Sequence, residues 1–196
     1  MMGARIVIIQ GHPDCGGQHL CHALADAYAE GARDAGHTVD RVEPGRLAFP
    51  LLRTAGEWHD GRVPPVLVPA QEAIRRASHL VLIYPMWLGE MPALLKGFLE
   101  QVARPGFALA VGSRNPLRAG LLGGRSARVV ITMGMPAPVY RWFYRAHSLK
   151  SLQRNILGFA GIKPVRATLV GGVASMSPPR VERLCAQLRR LGAAAR

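Results

Sequence analysis

The sequence predicts an α/β fold: a single domain spanning residues 1–196, built on a doubly wound sheet of five parallel strands in the order 2-1-3-4-5 with helices on both faces. Three observations predict it. Strand and helix signals alternate along the whole chain, the pattern of repeated β-α units. Ile6-Val7-Ile8-Ile9 and Leu80-Val81-Leu82-Ile83 are unbroken apolar runs, as expected of central parallel strands covered on both faces. Crossovers between parallel strands are right-handed, so the alternation closes into a doubly wound sheet.

Each element has its own signal. After the first strand, a helix runs from about Gln18 to Asp34. Leu20, Leu24, Ala27 and Gly31 recur on it at three- and four-residue steps, and Gly36 is placed to end it. Thr38–Val42 alternates and reads as an edge strand. Pro44–Val68, broken by Pro50, Gly56, Gly61, Pro64 and Pro65, reads as a long loop that covers a site or makes dimer contacts. A helix near Pro69–Ala77 leads to the third strand, Leu80–Tyr84. Pro92 opens the next helix, with Leu94, Leu95, Phe98, Leu99 and Val102 as its buried face. Gly106–Gly124 is a glycine-rich excursion before the fourth strand, Arg128–Thr132. Met133–Pro138 is a loop, and a helical region extends through Leu157. Val165–Val170 is the fifth strand. Ser177 caps the last helix, Pro178 sits in its first turn, and Val181, Leu184, Cys185, Leu188 and Leu191 line its inner face.

Composition narrows the function. Hydrophobic residues make up 49% of the chain, which excludes extensive disorder. No apolar run approaches the roughly 18–20 residues of a membrane span, and no signal-peptide pattern precedes the first strand, so the chain reads as cytoplasmic and not membrane-inserted. Three cysteines, Cys15, Cys21 and Cys185, fit reduced thiols and no disulfide framework. The net charge of +13 is carried almost entirely by arginine. The basic residues read as scattered over a solvated surface, not as a stripe for nucleic acid.

Three loops leave strands on their carboxyl side, where open α/β sheets bind ligands. Gln10–His19 joins a buried strand to a helix start, where glycines let backbone amides approach an anion. It lacks the G-x-G-x-x-G fingerprint. Its histidines and cysteines lack metal-knuckle spacing, so no metal is expected. The loop after the third strand, Tyr84 to Gly97, is aromatic and proline-rich. Trp87 and Phe107 offer flat apolar contact.

Gly11-His12-Pro13, the stretch Pro85-x6-Pro92-Ala93-x-Leu95-Lys96-Gly97, Glu100 and Pro105-Gly106-Phe107-Ala108 resemble the flavodoxin-like NAD(P)H:quinone reductases over about Ile6 to Gly172. The resemblance implies a flavodoxin-like fold. It places cofactor phosphates on His12, Gly16, Gly17, His19 and Leu20, and puts Gln71 near the cofactor. It lays a flavin ring against Pro85, Met86, Trp87 and Leu88, and against Thr132, Met133, Gly134 and Met135. Tyr140 and His147 are the implied catalytic residues, stabilising negative charge at the reduced ring's N1–C2 carbonyl edge, with His147 also a proton donor. Where the family usually carries Ser or Thr in the phosphate loop, this chain has Cys15-Gly16-Gly17, so the backbone must do more. The implied activity is a ping-pong passage of two electrons from NAD(P)H, through FAD with FMN as the alternative, to a quinone-like acceptor. The implied assembly is a homodimer, with Pro44–Val68 and the Tyr140–Tyr144 aromatics as contacts. Competing readings are a regulatory flavoprotein subunit of a potassium efflux system, which would share these motifs, and a basic nucleic-acid-binding α/β protein.

Overall fold

The computed structural model describes residues 3–111 and 120–196. Strands β1 (Arg5–Gln10), β2 (Thr38–Val42), β3 (His79–Pro85), β4 (Ser126–Met133) and β5 (Val165–Gly171) form one sheet. Their order is β2-β1-β3-β4-β5 and every pairing is parallel, as the alternation of elements predicts. Alternate residues of the central strands feed two separate cores. Ile6, Ile8, Val81, Ile83 and Val130 pack under α1 (Leu20–Asp34) and α7 (Pro178–Ala193). Val7, Ile9, Leu80, Leu82, Val129 and Ile131 face the opposite layer. Burial on both faces explains why these strands read as continuous apolar runs.

Helices α1 and α7 pack at backbone contact. A Cβ added at Gly31 would collide with the Arg189 carbonyl, and one at Gly192 with the Tyr28 carbonyl. Helix α1 ends as its sequence predicts. Gly36 adopts φ +79°, its amide donates to Arg33, and the His37 amide donates to Ala32, closing both open carbonyls.

The Pro44–Val68 segment is more structured than a loop. It holds 3-10 turns at Pro44–Arg46 and Pro65–Leu67, and a short helix α2 (Ala55–His59). Thr54 accepts the Glu57 amide and Glu57 reaches back to the Arg53 amide. The Thr-x-x-Glu pattern is a readable helix-start signal. Helix α3 (Val68–Arg76) leads into β3, and α4 (Ala93–Val102) leaves it. Pro92 is the N-cap of α4 and not its first helical residue. Ser177 likewise holds the N-cap position of α7, but its side chain accepts no capping bond.

After β4 the helical region is broken. Helix α5 (Ala137–Trp142) is followed by Arg145 and Ala146 at φ +52° and +48°, then α6 (His147–Ser151) and a π-helical stretch Leu152–Leu157. Much of the predicted Gly106–Gly124 excursion lies outside the described residues. Among the described residues, no helix is long and apolar enough to cross a membrane. The three cysteine thiols are free.

Candidate active site

The loops after β1, β3 and β4 meet at the carboxyl edge of the sheet. The Gly11 amide donates to Ile83 at 2.7 Å, and the Met86 amide donates to Thr132 at 2.7 Å, so each loop is bonded to the next strand. Gly11 packs closely on α4: an added Cβ would stand 2.6 Å from a Leu95 methyl, which would have to shift.

The first loop is organised around Asp14. Its carboxylate accepts the Gly16 amide at 2.8 Å and lies 2.7 Å from His19 Nε2. These bonds, His19's first, pull the Asp14 carboxyl down to about 2. Nδ1 of His12 takes the Asp14 amide at 3.1 Å. His12 is buried and stacks on His19 with ring centroids 3.8 Å apart; burial, then His19, holds its imidazole below the ordinary value. His22 meets both rings edge-on. Among the described residues, no group of three or more His, Cys, Asp or Glu side chains has metal-binding geometry. Leu20 is the first residue of α1, half-buried against the core beneath that helix.

The second loop is a tight hairpin. Trp87 and Glu90 exchange amide-to-carbonyl bonds of 2.9 Å, with Leu88 at φ +47° and Gly89 at φ +81°. Two positive φ values in a two-residue turn fix its twist. The hairpin puts Leu88 wholly in solvent and Trp87 half-exposed, its ring 5.9 Å from His12. Because the Trp87 amide is bonded to Glu90, it is not free for a ring carbonyl. Pro85 is buried at the end of β3, and Met86 packs on the core.

In the third loop, Thr132 and Met133 are buried ends of β4, Gly134 has open space around its Cα, and Met135 packs on the core. The Thr132 hydroxyl pairs with Cys21 Sγ at 3.2 Å, and burial pushes the Cys21 thiol up to about 11.

Two expected residues stand elsewhere. The Gln71 side chain donates to the Val102 carbonyl at 2.8 Å, at the far end of α4. Helix α4 starts at the crevice and rises ~1.5 Å per residue, so Gln71 fastens α3 to α4 well below the loops. Tyr140 is buried; its hydroxyl pairs with Ser148 at 2.7 Å and accepts the Leu149 amide at 3.0 Å. It ties α5 to α6 across the Arg145–Ala146 reversal. His147 is exposed and starts α6, one turn before Ser151. Ser151 lines a groove of about 590 Å³ with Trp87, Leu88, Met91, Lys96 and Leu152.

Sequence reasoning missed Tyr84 and Gln10. Gln10 Oε1 accepts the His12 amide at 3.3 Å, while Gln10 Nε2 and the Tyr84 hydroxyl are buried without a protein partner. Burial, with Tyr140 and Glu90 nearby, pushes the Tyr84 phenol upward. Buried polar groups in native proteins are paired, so these two ask for a polar ligand or water at the ends of β1 and β3.

The profile of a family described as having a flavodoxin-like fold, Flavodoxin_2, matches residues 4–192. The chain belongs to this flavodoxin-like family. Its relatives include an FMN-dependent NADH:quinone oxidoreductase of Ruegeria pomeroyi, 30% identical over 61% of this chain and 66% of that one. Another, of the same name, from Nitratidesulfovibrio vulgaris (strain DP4), is 28% identical over 96% of this chain and 98% of that one. The first curated relatives are matched over only 56% to 66% of their own length. Among solved structures, an NAD(P)H:quinone oxidoreductase from Methanothermobacter marburgensis superposes with a TM-score of 0.80 at 24% identity, covering 97% of this chain and 96% of that one. That likeness confirms the flavodoxin-like fold.

Proposed function

We propose that this chain is an FMN-dependent NAD(P)H:quinone oxidoreductase. The observation that carries the reading is the meeting of three loops at the carboxyl edge of the sheet, where two buried polar groups, the Tyr84 hydroxyl on one face and Gln10 Nε2 on the other, lack protein partners. Unpaired polar groups at that edge fit a ligand with polar atoms. FMN replaces the FAD expected from the resemblance, because relatives whose names specify a cofactor specify FMN.

The first loop would hold the phosphate through the Gly16 and Gly17 amides and His19, at the positive end of α1. Pro85–Leu88 and Thr132–Met135 would hold the ring. FMN, when bound, supplies the two-electron hydride chemistry. Trp87 gives one wall and excludes water from it. The unpaired Tyr84 hydroxyl would be free to donate to an acceptor atom of the ligand. His147, on the face of α6 that carries Ser151 into the groove, delivers a proton to the reduced acceptor. Tyr140 is a positioning residue that sets where α6 begins. NAD(P)H and the quinone-like acceptor use the groove in turn. A homodimer is supported by the apolar surface left open at Trp142 and Phe143, 75% and 77% exposed.

Reconstitution with FMN tests the reading. A yellow complex should form, bleach with NADH or NADPH under nitrogen, and recover its colour with menadione. A chain that stays colourless in excess FMN and FAD refutes it.

A further inference from the structure

At the opposite, amino edge of the sheet, four arginines surround one cavity. Arg128 on β4, Arg166 on β5, Arg190 in the last turn of α7, and Arg196 line a hollow of about 390 Å³ with Gln187, Leu191 and Ala194. Arg128 and Arg166 are register partners on adjacent parallel strands. Like charges set directly opposite one another destabilise a sheet. Arg128 is also buried, only 7% exposed, and its guanidinium donates to the Thr168 hydroxyl at 2.8 Å and to the Arg196 backbone oxygen. Neither partner is an Asp or Glu side chain.

No carboxylate side chain compensates this charge. The lining holds no Asp or Glu, and among the described residues none of the four arginines pairs with one. The sequence shows why: Glu182 is the only acidic residue after Glu100. The arginines of the second half of the chain are therefore left with few acidic neighbours. The same excess is felt by His79, whose imidazole is driven down to about 4 by burial and then by Arg128 and Arg166. Four like charges gathered around one hollow repel one another, and a bound anion offsets that repulsion.

We propose that Arg128, Arg166, Arg190 and Arg196 form a binding site for a small phosphoryl anion, separate from the crevice that takes the flavin phosphate. Guanidinium forks match phosphoryl oxygens two at a time, and four of them exceed what a single carboxylate would neutralise. The cavity is compact and concave, which suits a pyrophosphate-sized group better than an extended polynucleotide. Arg128 stands five residues before Met133 on β4, roughly 16 Å from the carboxyl edge. The site therefore does not depend on the flavin reading.

Calorimetry with inorganic pyrophosphate on the full chain tests the proposal, at an ionic strength fixed with sodium chloride. Pyrophosphate should bind and raise the melting temperature above that in matched chloride. Saturating the crevice with FMN should leave this binding intact. The double variant Arg166→Gln/Arg190→Gln should bind roughly tenfold more weakly or worse, while melting no lower than the parent in chloride, because it removes two repelling charges. Should the double variant not fold, Arg190→Gln alone on the exposed end of α7 serves, with a smaller loss. ADP binding tighter than pyrophosphate would identify a nucleotide as the source, and equal or weaker binding a free polyphosphate; either carries the proposal. It is overturned if pyrophosphate does no more than chloride, if the arginine variants bind it as the parent does, or if a short DNA duplex outcompetes it through these arginines.

Discussion

Nε2 of His19 lies 2.7 Å from the Asp14 carboxylate, which also accepts the Gly16 amide at 2.8 Å. Two donors that a cofactor phosphate would use are thus engaged by the chain's own anion. Phosphate and carboxylate cannot share them, so on the proposed reading cofactor entry would require Asp14 to turn aside.

Asp14→Asn should tighten FMN binding by roughly tenfold, since it removes a competing charge while keeping a similar shape. Riboflavin, which has no phosphate, should bind the variant and the parent alike. Flavin fluorescence quenching measures both. Equal changes for the two flavins, or weaker FMN binding, would remove Asp14 from the phosphate seat.

The same pair sets a pH dependence. The Asp14 carboxyl is depressed to about 2, so the loop order it contributes is complete above the ordinary carboxylate range near 4 and is lost as pH falls toward 2. Carbon NMR of Asp14 should follow that low midpoint, and His19→Ala should return it toward the ordinary value. An unchanged midpoint in His19→Ala would show that the Gly16 amide alone suffices.

Gly31→Ala places a methyl against the Arg189 carbonyl and forces α1 and α7 apart. The expected loss is about 1–3 kcal/mol in urea unfolding. Gly36→Ala should cost less, because nothing crowds that position and only its positive φ resists a side chain. The reverse ranking would contradict the helix contact.

Leu88 holds φ +47° while fully exposed, a conformation that disfavours leucine. Leu88→Asn should raise stability by about 0.5–1 kcal/mol, as Asn tolerates this turn better. If the side chain serves to touch the acceptor, the same variant raises the KM for menadione and leaves FMN affinity alone. A variant with parental KM assigns Leu88 no contact.

Cys21, with its thiol pushed up to about 11 and bonded to Thr132, should be the last cysteine alkylated at about pH 8. Cys15 and Cys185 are partly exposed and should react first, as mass spectrometry of the labelled peptides would reveal.

The fold was legible because its central strands are apolar on both faces and its breaks carry glycine or proline. The Leu88–Gly89 hairpin was not, because leucine gives no signal for a positive φ. Tyr140 and Gln71 were read toward the ligand, since a hydroxyl or amide looks the same in sequence whether it meets a cofactor or, as here, Ser148 and Val102. The unpaired polar ends of Gln10 and Tyr84 were hidden inside strands whose neighbours are apolar. The arginine cavity depends on the register of β4 with β5 and on where α7 returns, neither of which spacing along the chain encodes.

Leu95 fills the space that a side chain at position 11 would need. The turn proposed to hold the phosphate and the helix behind the aromatic hairpin therefore touch through a methyl-to-backbone contact. On the proposed reading that contact helps set the gap between the two ends of the crevice, like the jaws of a calliper. Flavins with a shortened or lengthened chain between ring and phosphate should be refused at one end or the other, and enlarging residue 11 would reset the gauge.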